Sequence, residues 1–237
     1  TRAIPQLERW HRDGIASAVI PEIESNIWPG QTLSLLAWFK DNEPATLQRT
    51  AHVLPCKDFL RMRLCGDNST DPTDGGCAGI INVTRSDISK EAFAAAGMKE
   101  WLPKLPPVRS GIEVAGRISA SAARQTGLKE GTPVCRGVYD VVGCALATGV
   151  ENDSQLAAVA GTFSIHSTLH HKPTLNPLPT IQTPYPIDGL VIATMATPTS
   201  ASNLEWFVKT FMAAEREAAK GKGISVYDIC NDLVAGT

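Results

Sequence analysis

The chain has 237 residues, of which 43% are hydrophobic and 19% charged, and its formal net charge is −2. This composition is typical of a globular protein with one large or two ordinary domains, and it excludes a disordered chain. The weak net charge creates no field for nucleic acid or anionic lipid, and no apolar run reaches the roughly 20 residues of a membrane span. We therefore expect neither a nucleic-acid nor a membrane partner.

The cysteines predict reduced thiols and no metal centre. No two of them have the C-x-x-C spacing, and none lies in a Cys/His cluster of the kind that binds zinc. We therefore expect no metal-ligating residues and a reducing, cytoplasmic setting. The cysteines are Cys56, Cys65, Cys77, Cys135, Cys144 and Cys230.

The first part of the chain predicts helices joined by short loops. Apolar residues recur every three positions from Arg2 to Asp13, and Gly14 follows as a stop signal. The further elements predicted here are helices at 33–39, 57–64 and 90–97, a short buried strand at 52–55 and a polar loop at 67–76.

The polar loop 67–76 contains acidic residues and glycines that invite a calcium interpretation. The EF-hand spacing is absent, so this interpretation is set aside. Two alternatives stay open for Asp71 and Asp74: they bind sugar hydroxyls, or they organise an Asx turn.

The pattern changes at Ser110, after the proline-rich segment 103–107. Strands and helices then alternate at short intervals, which favours an α/β fold and a domain boundary between 1–109 and 110–237. The predicted strands lie at 112–118, 133–139, 156–160, 166–169 and 189–194, and the predicted helices at 119–126, 141–148 and 202–217.

Asp140 is the candidate catalytic residue. It lies on a turn between an apolar strand and a helix of small residues, and its apolar neighbours predict a partly desolvated cleft. A lone carboxylate there can accept a proton, and the backbone at Gly161-Thr162 can hold an anion. The pair indicates phosphoryl transfer to a hydroxyl. The alternative is that Asp140 only caps the following helix.

The order of these segments resembles the FGGY family of carbohydrate kinases. The run from Cys56 to Gly66 (Cys-Lys-Asp-Phe-Leu-Arg-Met-Arg-Leu-Cys-Gly) and Ser69-Thr-Asp71 resemble the rear of that family's N-terminal lobe. Residues 105–116 resemble the passage between the two lobes of that family. Residues 126–134 and Gly137-Val-Tyr-Asp-Val-Val142 resemble the start of its C-terminal lobe. The last of these, with Ser-Asn-Leu-Glu-Trp206, is most similar to the xylulokinase-like branch.

This resemblance implies a two-lobed, actin-like ATPase fold, related to ribonuclease H, of which the chain holds parts of both lobes. It implies that Asp140 is the general base toward a ketopentose such as xylulose or a related polyol. With a sugar as the substrate, we expect Asp71 to be a substrate-binding residue together with Asp140. The resemblance further implies that Gly161 and Thr162 contact the phosphates of ATP, with Mg²⁺ as the accompanying ion.

The family's opening Asp-x-Gly-Thr turn and its adenosine-binding glycine pair have no counterpart in the chain, so the chain looks like a fragment that lacks both ends. We expect the fragment alone to be inactive. Pro72 stands where glycerol kinases have an aromatic sugar contact, which argues against a glycerol-type pocket. The alternative function is an inactive kinase-like module for ligand sensing or partner binding, and a homodimer is possible in either case.

Overall fold

The computed structural model describes residues 2–161 and 163–236, and it confirms the mixed α/β content. A 3₁₀ helix occupies Lys99–Lys104. The α-helices are Ile4–Arg12 (α1), Ile15–Ile23 (α2), Thr32–Asn42 (α3), Pro44–Arg49 (α4), Cys56–Cys65 (α5), Pro72–Cys77 (α6), Lys90–Ala95 (α7), Ala120–Thr126 (α8), Asp140–Ala147 (α9), Ala201–Phe211 (α10), Ala213–Lys222 (α11) and Val226–Ala235 (α12). Among the described residues, none of these helices combines the length and the apolar character that crossing a membrane requires.

The strands of the described chain form three small sheets. These strands are Ile81–Asn82 (β1), Asp87–Ile88 (β2), Val114–Arg117 (β3), Pro133–Cys135 (β4), Leu156–Ala160 (β5), Ser164–His170 (β6), Ile181–Pro184 (β7) and Val191–Thr197 (β8). Strands β1 and β2 pair antiparallel, as do β3 and β4, and the third sheet has the strand order β5-β6-β8-β7. In the third sheet β7 and β8 are antiparallel, with Ile181 opposite Thr194.

Several helix ends follow local sequence rules, and these predictions are confirmed. Gly66 ends α5 and Gly127 ends α8, both with the positive φ that glycine adopts without strain (82° and 77°). Ser119 caps the start of α8, because its hydroxyl accepts a hydrogen bond from the Ala122 N–H.

Three predicted elements are wrong. Residues 52–55 are irregular backbone and pair with no strand in the described chain, so their apolar character does not produce a sheet. The polar loop 67–76 contains the start of α6, which Asp71 caps. The long helix predicted at 202–217 is interrupted at the buried residue Met212, whose backbone angles (φ −108°, ψ 47°) are not helical.

The chain folds into two compact units. The first comprises the chain up to Ala157 together with Ser167–Met195, and the second comprises Ala158–His166 and the chain from Ala196 onward. Asp140 belongs to the first unit and Gly161 to the second. The boundary predicted between 109 and 110 falls inside the first unit and stays a prediction.

Among the described residues, two hydrophobic clusters form the core of the first unit. The larger one joins helices α1, α2, α3 and α7 around Phe93 and Trp101, both almost completely buried. The smaller one packs one face of α9, through Val142 and Ala145, against Leu169 of β6 and Ile192 of β8. Burial of a valine side chain contributes roughly 1.5–3 kcal/mol, so this cluster fixes the helix that begins at Asp140.

Candidate active site

Asp140 is the first residue of α9, and its side chain is exposed. Its Oδ1 accepts a hydrogen bond from the Val141 N–H at 2.8 Å, and its Oδ2 has no hydrogen-bond partner among the described residues. The partly desolvated setting expected from its apolar neighbours is therefore wrong for this chain. The capping alternative is met only in part, because Tyr139 occupies the N-cap position and no side chain caps the helix. One carboxylate oxygen remains available to a ligand.

The backbone leading to Asp140 is held by two other segments, at Gly111 and at Thr73. The Gly137 N–H donates to the Gly111 carbonyl at 2.9 Å, and Gly137 adopts a φ of 79°, which favours glycine. The approach is close, since a Cβ on Gly111 would lie 2.6 Å from the Gly137 carbonyl oxygen. The Tyr139 N–H donates to the Thr73 hydroxyl at 2.7 Å. The position of Asp140 is thus set by residues distant in sequence.

Lys57 lies at the centre of a cluster of acidic residues behind this backbone. Its Nζ atom lies 2.7 Å from an oxygen of Asp58, 2.9 Å from Asp71 and 3.1 Å from Asp74. It also donates to the Arg136 carbonyl at 3.2 Å. The three carboxylates are close enough together to hold a metal ion. The lysine ammonium already supplies the positive charge there, so the residues present do not call for a metal.

The structure gives Asp71 a structural environment. Its side chain is completely buried, and its Oδ1 accepts hydrogen bonds from the Thr73 N–H and hydroxyl and from the Asp74 N–H. Its Oδ2 accepts from Lys57. Both oxygens are occupied by protein groups, so the predicted sugar contact of Asp71 has no support from its surroundings, and the Asx-type capping alternative is observed.

Burial and charge act in opposite directions on the ionisable groups of this cluster. Burial lowers the pKa of Lys57, but its hydrogen bonds and charge interactions with Asp58 and Asp71 outweigh this and raise it. Burial raises the pKa of Asp74 to about 6, although the nearby Lys57 ammonium opposes the shift. Lys57 is therefore the fixed charge of the cluster and Asp74 its titrating member near neutral pH.

Arg136 joins the segment before Asp140 to two loops. Its side chain, 8% exposed, donates to the Ser69 hydroxyl at 2.9 Å, to the Ser110 carbonyl at 3.1 Å and to Glu113 at 3.0 Å. Its carbonyl oxygen accepts from Arg61 at 3.1 Å as well as from Lys57. The side chain and the backbone carbonyl of Arg136 are thus both held by hydrogen bonds, which fixes the segment that leads to α9.

The predicted phosphate turn lies in the second unit. The Gly161 carbonyl accepts a hydrogen bond from the Ala201 N–H at 3.1 Å, so the start of α10 lies beside it. The Gly161 N–H donates to the Phe163 carbonyl at 3.0 Å. Helix α10 begins without a side-chain cap. Thr162, the second residue of the prediction, lies outside the described residues.

Four residues around Asp140 are not predicted from the sequence: Lys57, Arg61, Thr73 and Arg136. The only local signal was the i, i+3 spacing of Asp58 and Arg61 on α5, whose side chains are both buried and lie 2.6 Å apart. Buried charges need partners, so a buried helix face carrying both signs would have indicated such a network.

Comparison with known proteins supports one family. The sequence profile described as "FGGY family of carbohydrate kinases, N-terminal domain" matches residues 1–147. The chain is 34% identical over 209 residues to the probable L-xylulose kinase of Pasteurella multocida (strain Pm70), covering 88% of this chain and 43% of that protein. It is also 34% identical over 207 residues to the L-xylulose/3-keto-L-gulonate kinase of Escherichia coli (strain K12), covering 87% and 42%.

The solved structures show the fold. The crystal structure of xylulose kinase from Rhodospirillum rubrum superposes with a TM-score of 0.81 at 22% identity, covering 93% of this chain and 45% of that one. The predicted actin-like ATPase fold, present in part, is thereby confirmed. The chain spans less than half the length of the relatives it matches.

Proposed function

This chain belongs to the FGGY family of carbohydrate kinases, and from that premise we propose that it forms part of an enzyme that phosphorylates a sugar hydroxyl with ATP. Two relatives are described as kinases of L-xylulose, which supports a ketopentose or a related polyol as the substrate class. The observation that carries the proposal is the exposed Asp140 carboxylate at the start of α9, with one oxygen free of protein partners among the described residues.

In this proposal Asp140 is the general base. Its free oxygen takes the proton from the sugar hydroxyl as the hydroxyl oxygen attacks the γ-phosphorus of ATP. The bond between the γ-phosphorus and the bridging oxygen to the β-phosphate breaks, and ADP leaves. Proton transfer of this kind requires the base within hydrogen-bond distance of the hydroxyl. The backbone bonds of Gly137 and Tyr139 supply that precision, because they fix the residues that precede Asp140.

Gly161 and Thr162 are the proposed phosphate contacts. The start of α10 lies beside Gly161 without a side-chain cap, and the positive end of a helix dipole favours an anion. Bound Mg²⁺–ATP would supply the phosphoryl group and neutralise its developing charge. We assign no protein ligand to the Mg²⁺ ion, since the Lys57 ammonium already occupies the centre of the acid cluster of the first unit.

The test is an ADP-release assay on the full-length protein that contains this chain, with ketopentoses, aldopentoses and polyols as acceptors. We expect turnover with at least one of them. Asp140→Asn is expected to lower kcat by about 100-fold or more, since general-base catalysis contributes a factor of that size. ATP affinity, measured by calorimetry, should not change.

Asp232→Asn is the matched control, because Asp232 is also an exposed helical aspartate and is expected to keep normal turnover. A near-normal rate in Asp140→Asn would remove Asp140 from the mechanism. Sugar binding without any turnover would favour the alternative, an inactive kinase-like module for ligand sensing or partner binding.

We also propose a cytoplasmic location and, as one possible assembly, a homodimer. Sedimentation velocity on the full-length protein tests the assembly directly.

A further inference from the structure

The first unit contains a cavity of about 210 Å³. Residues at the start of α6, in the loop before β3, before α9 and in the turn between β7 and β8 line it. A cavity of about 150 Å³ is large enough for benzene, so this one is large enough for a small polyol.

One part of the cavity wall is apolar. Pro72, Ile112, Val138 and Pro186 face it, as does Tyr185. The Tyr185 hydroxyl donates to the Val150 carbonyl at 2.7 Å, so this residue offers its ring and not its hydroxyl to a ligand. Such a surface suits the C–H face of a sugar.

Some polar residues of the wall are already occupied. Asp71 uses both oxygens for protein hydrogen bonds, and the Thr73 hydroxyl donates to Asp71 while it accepts from the Tyr139 N–H. These two residues shape the cavity, and each of their side-chain oxygens already has a protein partner.

Asp188 and Ser110 are different. Asp188 is exposed, and its carboxylate makes no hydrogen bond or ion pair with any described residue. The hydroxyl of Ser110 also has no hydrogen-bond partner among the described residues. Arg136 donates to the backbone carbonyl of Ser110 and not to its hydroxyl. The cavity therefore offers one free carboxylate and one free hydroxyl beside an apolar wall, a combination that fits a polyhydroxylated ligand.

The cavity is connected to the proposed base through two residues. Val138 lines it and precedes Asp140 by two positions, and Thr73 lines it and holds the Tyr139 N–H. We propose that the cavity holds the part of the sugar remote from the phosphorylated hydroxyl. Asp188 accepts hydrogen bonds from the sugar hydroxyls there, Ser110 makes a second contact, and Asp188 determines which sugar is accepted. This inference rests on the proposed kinase function.

The test uses the full-length protein and its best acceptor among ketopentoses, aldopentoses and pentitols. Asp188→Ala is expected to raise the KM for that sugar about tenfold or more, as expected for the loss of a hydrogen bond to a charged group, with kcat changed less than about threefold. The KM for ATP should stay constant. Asp232→Ala, which removes an exposed carboxylate that does not line the cavity, should change neither constant.

A panel of deoxy analogues, each lacking one hydroxyl, identifies the contact. The unmodified protein should bind one analogue more weakly than the parent sugar, and Asp188→Ala should abolish that difference in calorimetry. Ser110→Ala should do the same for a different analogue.

The failures can be distinguished. Normal turnover with an unchanged sugar KM in Asp188→Ala overturns this inference and leaves the kinase proposal intact. Sugar binding that depends on Asp188 without turnover supports the cavity and contradicts the kinase proposal. If no sugar of the panel binds, both are overturned.

Discussion

At the scale of single residues, the hydroxyl of Thr73 links the acid cluster to the residue before Asp140. It accepts the Tyr139 N–H at 2.7 Å and donates to Asp71. Thr73→Val keeps the shape of the side chain and removes both bonds. We expect kcat of the full-length protein to fall about tenfold, since an unpaired buried N–H costs about 1–3 kcal/mol and the loop before Asp140 would shift to relieve it.

Thr73→Ser provides the control, because it restores the hydroxyl and should restore most of the rate. Steady-state kinetics and thermal unfolding of both variants separate a positioning effect from general loss of stability. Equal rates in Thr73→Val and the unmodified protein would show that this bond does not position Asp140.

Asp74 should make stability depend on pH. Its pKa is raised to about 6 from an ordinary value of 3.8, mainly by burial. The stability that its protonation contributes is therefore fully present below about pH 4 and is lost as the pH rises through about 6. Asp74→Asn, which stays neutral, should equal the unmodified protein near pH 4. At pH 8 the free energy of unfolding of the variant, measured in urea, should exceed that of the unmodified protein by on the order of 2 kcal/mol.

Asp67 provides the opposite sign. Burial acts to raise its pKa, but hydrogen bonds from Ser69 and the charges of Arg61 and Arg136 outweigh this and lower it. The stability that the ionised Asp67 contributes is present above its ordinary pKa and is lost as the pH falls through its lowered pKa. Asp67→Asn should therefore lower the free energy of unfolding more at pH 7 than at pH 3. Urea unfolding at both pH values measures the difference. The same trend in both variants would contradict this account of the cluster.

Asp140 can be predicted from the sequence, but the residues that position it cannot. Asp140 is identifiable because its glycine-flanked segment is local. Thr73 and Tyr139 are 66 residues apart, and Lys57 and Arg136 are 79 residues apart, so no local pattern encodes their hydrogen bonds. The exposure of Asp140 was equally hidden, because it depends on tertiary packing and not on the apolar character of its neighbours.

At the scale of elements, α6 depends on close packing against β7. A Cβ on Gly76 would lie 2.9 Å from the Thr183 Cβ, which is closer than real contacts allow. Gly76→Ala should therefore destabilise the first unit by about 1–3 kcal/mol, as overpacking does. Thermal and urea unfolding measure the change.

Gly221→Ala is the matched control. Gly221 lies inside α11, and a Cβ there would meet nothing within 4 Å. Since alanine favours helix, this variant should be unchanged or more stable by about 0.5–1 kcal/mol. If Gly76→Ala behaved in the same way, the close α6–β7 packing would be contradicted.

Elements with their own stop and cap residues were predictable, and elements that depend on partners were not. Gly66, Gly127 and Ser119 act through neighbouring backbone, so the ends of α5 and α8 follow from sequence. Helix α6 has two glycines in six residues and low helix propensity, and it forms where Asp71 caps it and β7 covers it. Residues 52–55 are predicted as a strand from their apolar character, but a strand needs a partner and they pair with none in the described chain.

At the scale of the whole molecule, the chain spans 42–45% of the length of the relatives described above. We expect the 237-residue chain alone to show no sugar-dependent ATP turnover, because it covers less than half of the length of the kinases that it matches. The ADP-release assay on the purified chain measures this, with the full-length protein as the positive control. Measurable turnover by the chain would contradict the expectation.

The ammonium of Lys57 has one further consequence. The positive charge among Asp58, Asp71 and Asp74 belongs to a side chain of the protein and not to a bound ion. The charge of this buried region therefore does not vary with the supply of ions in the cell. A chelator such as EDTA should leave the folding of the first unit unchanged. Under the proposed kinase function, a requirement for divalent ions would then point to nucleotide binding and not to the folding of this region.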